Sequence, residues 1–227
     1  MKLKRSLLAA ATLVVAAAGV QPAAAIKQGD WLVRGRLAAV VPLDDSGVVN
    51  VGGAPLAGSG VEVDTGFTLD IDFTYMFTNN IGAELLLDVT SKHDIDSTGT
   101  LAGVAPGTIL TARALPPALI LQYHFMPQQT FKPYLGVGLN YTKFIDAKPT
   151  DNGRATLGLS GVDLDDSLGF VLQVGADYQI NDRWYLNADL KYIDMDTTAT
   201  ANSALGPIKV DVDVNPLVIG IGVGYRF

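Results

Sequence analysis

Leu217-Val218-Ile219-Gly220-Ile221-Gly222-Val223-Gly224-Tyr225-Arg226-Phe227 decides the fold. Leu217, Ile219, Ile221, Val223, Tyr225 and Phe227 share one parity, and Val218, Gly220, Gly222, Gly224 and Arg226 share the other. A period of two belongs to a strand, here with one continuous apolar face and one face of small or polar residues. A soluble domain could bury such a face. At the end of an exported chain, closing on an aromatic carboxyl terminus, it predicts the last strand of an outer-membrane barrel.

Export is read from the opposite end. Lys2, Lys4 and Arg5 precede a short apolar run, Leu7 to Val20, and Ala23-Ala24-Ala25 supplies a small-residue cleavage pattern. Residues 1–25 therefore read as a secretory signal, with 26–227 as a single mature domain. The run is too short to span a bilayer as a helix. Hydrophobic residues make up 48% of the chain, but they lie in alternating stretches broken by 24 glycines, which favours membrane strands over membrane helices. Without Lys2, Lys4 and Arg5, 13 basic residues face 23 acidic ones, a net of −10, so nucleic acid is not an expected partner. The chain has no cysteine, which removes thiol chemistry and a disulfide scaffold.

Eight stretches alternate, near 31–41, 67–77, 81–90, 112–125, 132–144, 167–180, 184–195 and 214–227. Tight turns at 78–80, 127–130 and 181–183 use Asn, Pro, Asp and Thr, residues that favour turns. Between them fall long segments at 42–66, 91–111, 145–166 and 196–213, expected as loops. This strict alternation of long and short connections matches outer-membrane barrels, with short periplasmic turns and long outer loops. Face chemistry agrees. Phe67, Leu69, Ile71, Phe73, Tyr75 and Phe77 oppose Thr68, Asp70, Asp72 and Thr74, so the charged face is inward and the apolar face outward. Aromatic girdles are expected at both interfaces. Trp31, Tyr75, Phe77, Tyr123, Phe125, Tyr134, Tyr178, Trp184 and Phe227 lie low, and Phe67, Tyr141, Phe144, Phe170 and Tyr192 lie high.

Several stretches are similar to the outer membrane protein W family. They include Thr74-Tyr75-Met76-Phe77, Asn80-Ile81-Gly82-Ala83-Glu84-Leu85-Leu86, Leu115-Pro116-Pro117, and the run from Phe131 to Thr142. Gln173-Val174-Gly175-Ala176-Asp177-Tyr178, Met195-Asp196-Thr197-Thr198-Ala199 and Gly224-Tyr225-Arg226-Phe227 complete the set. The resemblance implies an eight-stranded antiparallel β-barrel of the bacterial outer membrane with a narrow, largely apolar lumen. It also implies passage of small hydrophobic compounds. Tyr225 and Phe227 would then serve as the signal read by the barrel-assembly machinery.

Parity places Arg34, Arg36, Asp72, Glu84, His124, Asp177, Asn187 and Arg226 inward in the periplasmic half, where they could pair as a polar plug. Val40, Leu86, Val171, Ile193 and Val218, with Ala112 and Ala114, line an expected apolar vestibule above it. Pro116-Pro117 removes two backbone donors inside a strand, which suggests either a lateral opening or a rim bulge. His93 lies near Ser91, Asp94 and Ser97, but nearness in sequence does not make a triad, and no catalytic role is expected. Asp163-Leu164-Asp165-Asp166 lacks the Gly and distal Glu of a calcium loop, so neither metal nor cofactor is expected. The expected partners are outer-membrane lipid, lipopolysaccharide, the assembly machinery and small hydrophobic ligands. The alternative role is a structural or surface-recognition protein whose loops bind host factors, phage or lipopolysaccharide.

Overall fold

The computed structural model describes residues 25–89 and 91–227. Apart from Ala25, the expected signal segment lies outside the described residues. Eight strands form the wall: β1 (Trp31–Val41), β2 (Gly66–Met76), β3 (Ile81–Val89), β4 (Ala118–His124), β5 (Phe131–Pro149), β6 (Ser167–Gln179), β7 (Trp184–Ile193) and β8 (Leu217–Arg226). Each pairs antiparallel with the next, and β8 pairs with β1 from Leu217↔Val41 to Arg226↔Leu32, so the sheet closes. Closure gives every wall strand a partner on both sides.

The tight turns form as their residues dictate. Asn181 Oδ1 accepts from the amides of Arg183 and Trp184, each at 2.9 Å, and Thr78 Oγ1 accepts from Ile81 N at 2.9 Å. Short polar side chains thus replace the backbone acceptors that a tight reversal leaves missing.

The two faces are inverted relative to a soluble barrel. In β2, Phe67, Leu69, Ile71 and Phe73 are exposed while Thr68, Asp70, Asp72 and Thr74 are buried. Inward glycines make room for large lumenal rings. A Cβ on Gly175 would run into Tyr134, and one on Gly224 into Tyr185.

Two sequence expectations are corrected here. Tyr134 and Phe144 belong to neither girdle. Both lie on the inward parity of β5, with Tyr134 almost fully buried and Phe144 partly buried against the apolar core. Phe131, half exposed at the start of β5, takes the outward aromatic position at that end. The long connections are also not simply loops. Ser91–Thr98 and Thr108–Leu115 pair with each other, and Asp196–Ser203 pairs with Gly206–Asp213. Ser59–Val63 and Ser160–Leu164 add further strands, and Gly99–Ala102 and Asp151–Leu157 are short helices. Ala199, Ala201, Val210, Val212 and Val214 are buried between more exposed polar neighbours, so these segments prolong the apolar core above the barrel.

A filled ionic layer beneath an apolar vestibule

The lower lumen is built from side chains whose strand parity turns them inward. Arg34 on β1 grips Asp177 on β6 with two bonds, Nε to Oδ1 at 3.2 Å and Nη2 to Oδ2 at 2.9 Å. Its Nη1 donates to Asp72 Oδ1 at 3.1 Å and to Thr74 Oγ1 at 2.8 Å. The guanidinium also lies 5.1 Å from the Tyr134 ring and 5.7 Å from that of Tyr185, within cation–π range. Arg36, two residues on, donates to Asp70 at 2.8 Å and to Asn187 at 3.0 Å, and pairs with Asp72 and Asp189. Lys191 Nζ bridges Asp189 at 2.9 Å and Asp70 at 3.2 Å. Gln173 donates to Glu84 at 3.0 Å and to Asp189 at 2.7 Å, while Gln122 donates to Glu84 at 2.6 Å. Asn187 ties Asp177 at 2.7 Å to the Tyr134 hydroxyl at 3.0 Å. His124 Nε2 lies 3.2 Å from Gln122 Oε1, and its ring stacks on Tyr134.

The network holds three cations, Arg34, Arg36 and Lys191, against five carboxylates, Asp70, Asp72, Glu84, Asp177 and Asp189. Only such mutual pairing makes so much charge tolerable away from water. Of the residues predicted from sequence, Arg34, Arg36, Asp72, Glu84, His124, Asp177 and Asn187 meet in this layer. Arg226 does not. It lies at the turn end, donating to Asp182 O at 2.6 Å and to Ala25 O, and standing 3.7 Å from Asp30. As the last residue of β8 it falls beyond the packed layer, where the carbonyls of the neighbouring turn serve it instead. Asp70, Asp189, Lys191, Gln122, Gln173, Tyr134 and Tyr185 join the layer without having been singled out as plug residues. Parity does reveal them, since Tyr185, Asn187, Asp189 and Lys191 alternate along β7.

Above this layer lies an apolar cavity of about 90 Å³, several times the roughly 10–15 Å³ that one water needs on the same measure. Val40, Ile193 and Val218 line it, as do Ala112 and Ala114. Leu86 and Val171 do not. They are fully buried in the same apolar cluster but lie off the cavity surface. Phe144, Met195 and Val210 line it in addition.

The predicted strand 112–125 is broken. Thr108–Leu115 and β4 are separate, divided by Pro116-Pro117. On one side β5 holds the break, with Tyr141 N and Asn140 Nδ2 each 3.1 Å from Pro117 O. On the other side pairing with β3 stops at Ala118↔Leu86, and the next pair, Ala114↔Ser91, belongs to the following strand, Ser91–Thr98. Among the described residues no pair joins 87–89 to 115–117, although β3 stays paired with β2 as far as Val89↔Leu69. Pro116 lines the cavity at this interruption. Two residues without amide donors cannot sustain the ladder there.

His93 Nδ1 faces Asp64 O at 3.0 Å, and the Ser97 hydroxyl donates to the carbonyl of Ala105.

The OmpW family model matches residues 27–227. Outer membrane protein W of Vibrio cholerae is 40% identical over 216 residues, covering 94% of this chain and 96% of that one. The crystal structure of OprG from Pseudomonas aeruginosa superposes with a TM-score of 0.85 at 37% identity, covering 90% of this chain and 99% of that one. At 25% identity over 187 residues, 82% of this chain and 84% of that one, it also matches PahQ of P. aeruginosa, described as a dibenzothiophene metabolism operon protein. With a closed eight-stranded wall, an outward apolar face and these relatives, the chain belongs to the OmpW family and is a β-barrel protein of the bacterial outer membrane.

Proposed function

We propose that the barrel passes small hydrophobic molecules from the loop end into the membrane sideways. The apolar cavity above the ionic layer receives the solute, and the interrupted wall at Pro116-Pro117 releases it. The observation that carries this reading is the position of the break beside the cavity and above a lumen filled by paired charges. An apolar solute moving straight down would have to displace Arg34, Asp72 and Asp177 from one another, which leaves buried charges unpaired. Moving sideways it meets only lipid. The name of PahQ, which ties a relative to an operon for an apolar aromatic compound, supports the same solute class.

The test is Pro116→Val with Pro117→Val, which restores two amide donors. Flux of an apolar probe into vesicles at matched protein density should fall while the barrel stays at least as stable. Unchanged flux through a resealed wall would eliminate this exit.

In the same reading Phe227 and Tyr225 form the segment taken up by the assembly machinery. Phe227 is largely exposed, and the Tyr225 ring meets it edge-on with centroids 4.7 Å apart. Removal of the signal after Ala25 would leave Ile26 as the first residue, its side chain buried at the turn end.

A further inference from the structure

Three ionisable side chains that line the cavity, Asp88, His93 and Arg113, interrupt its apolar surface. Two of them are engaged. His93 faces Asp64 O at 3.0 Å, with its ring against Gly66. Arg113 lies 3.8 Å from the Asp146 carboxylate.

Asp88 differs. Its Oδ1 is buried with no hydrogen-bond partner. Its register neighbour on β2 is Asp70, whose two oxygens are already taken by Arg36 and Lys191. Those cations lie in the layer below and form their pairs there, and no described ion pair reaches Asp88. Asp88 also sits within 87–89, the part of β3 that pairs with no residue of the 115–117 segment. A carboxylate without a donor is one of the costliest groups to bury in apolar surroundings. A wall shaped only to slide hydrocarbon would be better served by Leu or Val.

We infer that the cavity selects apolar molecules that carry a hydrogen-bond-donating head, an aliphatic hydroxyl or ammonium, and that Asp88 accepts from that head. The molecule's tail lies on the apolar surface near Val40, Ile193 and Val218, and the head stays beside the wall break. The inference rests on the reading of the cavity as a solute passage and names the solute's polar end. Asp88 then acts as a specificity residue, separating alcohols and amines from alkanes and carboxylates. A carboxylate head would meet a like charge at Asp88, while Arg113, the arginine on the cavity surface, already faces the Asp146 carboxylate.

The experiment uses the mature protein in lipid nanodiscs, with empty nanodiscs as blank. Retention of labelled 1-decanol, decylamine, decane and decanoate is measured for wild type, Asp88→Leu and Asp88→Asn. Folding is checked by heat-modifiable mobility. Wild type should retain decanol and decylamine above decane and reject decanoate. Asp88→Leu should lower decanol affinity about tenfold, ~1.4 kcal/mol, and leave decane unchanged. Asp88→Asn keeps an acceptor, so decanol should hold while decylamine falls, and this variant also decides the matter if Asp88→Leu fails to fold. Equal losses of decanol and decane, or a decylamine affinity untouched in Asp88→Asn, would overturn the inference while leaving the passage standing. Retention of none of the four probes by wild type would overturn the passage itself.

Discussion

Replacing Arg34 by Met tests whether the lower lumen is held by dry ion pairs. Methionine is nearly as long as arginine but carries no charge, so the change removes donors while leaving little empty space. Lost at once are both bonds to Asp177, at 3.2 and 2.9 Å, and those to Asp72 at 3.1 Å and Thr74 at 2.8 Å. The Arg34, Asp72 and Glu84 side chains are fully buried and Asp177 is 2% exposed, so water cannot step in as a partner. Five carboxylates would then share Arg36 and Lys191. Breaking a buried pair by removing one member costs about 3–5 kcal/mol, and that is the expected loss. Adding Asp177→Asn to Arg34→Met removes one stranded charge and should recover about 1–3 kcal/mol, in the range of coupling between groups of one network. The assay is urea titration of the protein refolded in bilayers, followed by emission from Trp31 and Trp184. A loss below about 1 kcal/mol, the level of an exposed pair, would show that the layer is wet and the reasoning wrong.

Three further outcomes are expected. Protease added to intact cells should cut within 42–66 or 145–166 and spare 78–80 and 181–183; cleavage at those turns would invert the orientation. Phe227→Ala should reduce the yield of heat-modifiable barrel in the outer membrane, and normal yield would remove Phe227 from the assembly signal. Val174 lies outward and midway between Tyr178 and Phe170 on β6, so Val174→Arg should cost about 2–4 kcal/mol in bilayer unfolding; a cost below 1 kcal/mol would place it at an interface instead.

The wall was legible because period two survives any error of a residue or so at a strand end. The inversion of Phe67, Leu69 and Ile71 against Thr68, Asp70 and Asp72 admits one environment only. Parity also named the inward residues, but it gives no relative height between strands. Height is fixed by register, such as Arg34↔Asp72 and Asp177↔Asn187, and register follows from closure of the whole sheet. Hence Asp70 and Asp189 were visible as inward positions, yet not as partners of Lys191. Arg226 failed for the same reason, being inward in parity but below the packed layer. The outer strands stayed hidden because Thr197, Ala199 and Ala201 are weakly apolar and sit among Asp, Asn and Gly that read as loop. Their burial comes from Val210 and Val212 opposite, which is a tertiary fact.

The ionic layer explains how the upper lumen can be apolar at all. A one-residue slip in a strand exchanges its two faces, and a strand with two apolar faces resists such a slip poorly. The upper part of β1, Leu37-Ala38-Ala39-Val40-Val41, is apolar on both parities and by itself would tolerate either register. Lower on the same strand a slip would turn Arg34 and Arg36 toward lipid, each away from its carboxylates. A charge facing mid-membrane lipid costs about 2–4 kcal/mol, and each stranded partner adds more. Register is therefore fixed below, at Arg34↔Asp72 and Arg36↔Asp70, and inherited above. This division of labour frees Val40, Ile193 and Val218 from specifying the fold. They can shape an apolar cavity, and the wall beside it can break at Pro116-Pro117, without loosening the barrel as a whole.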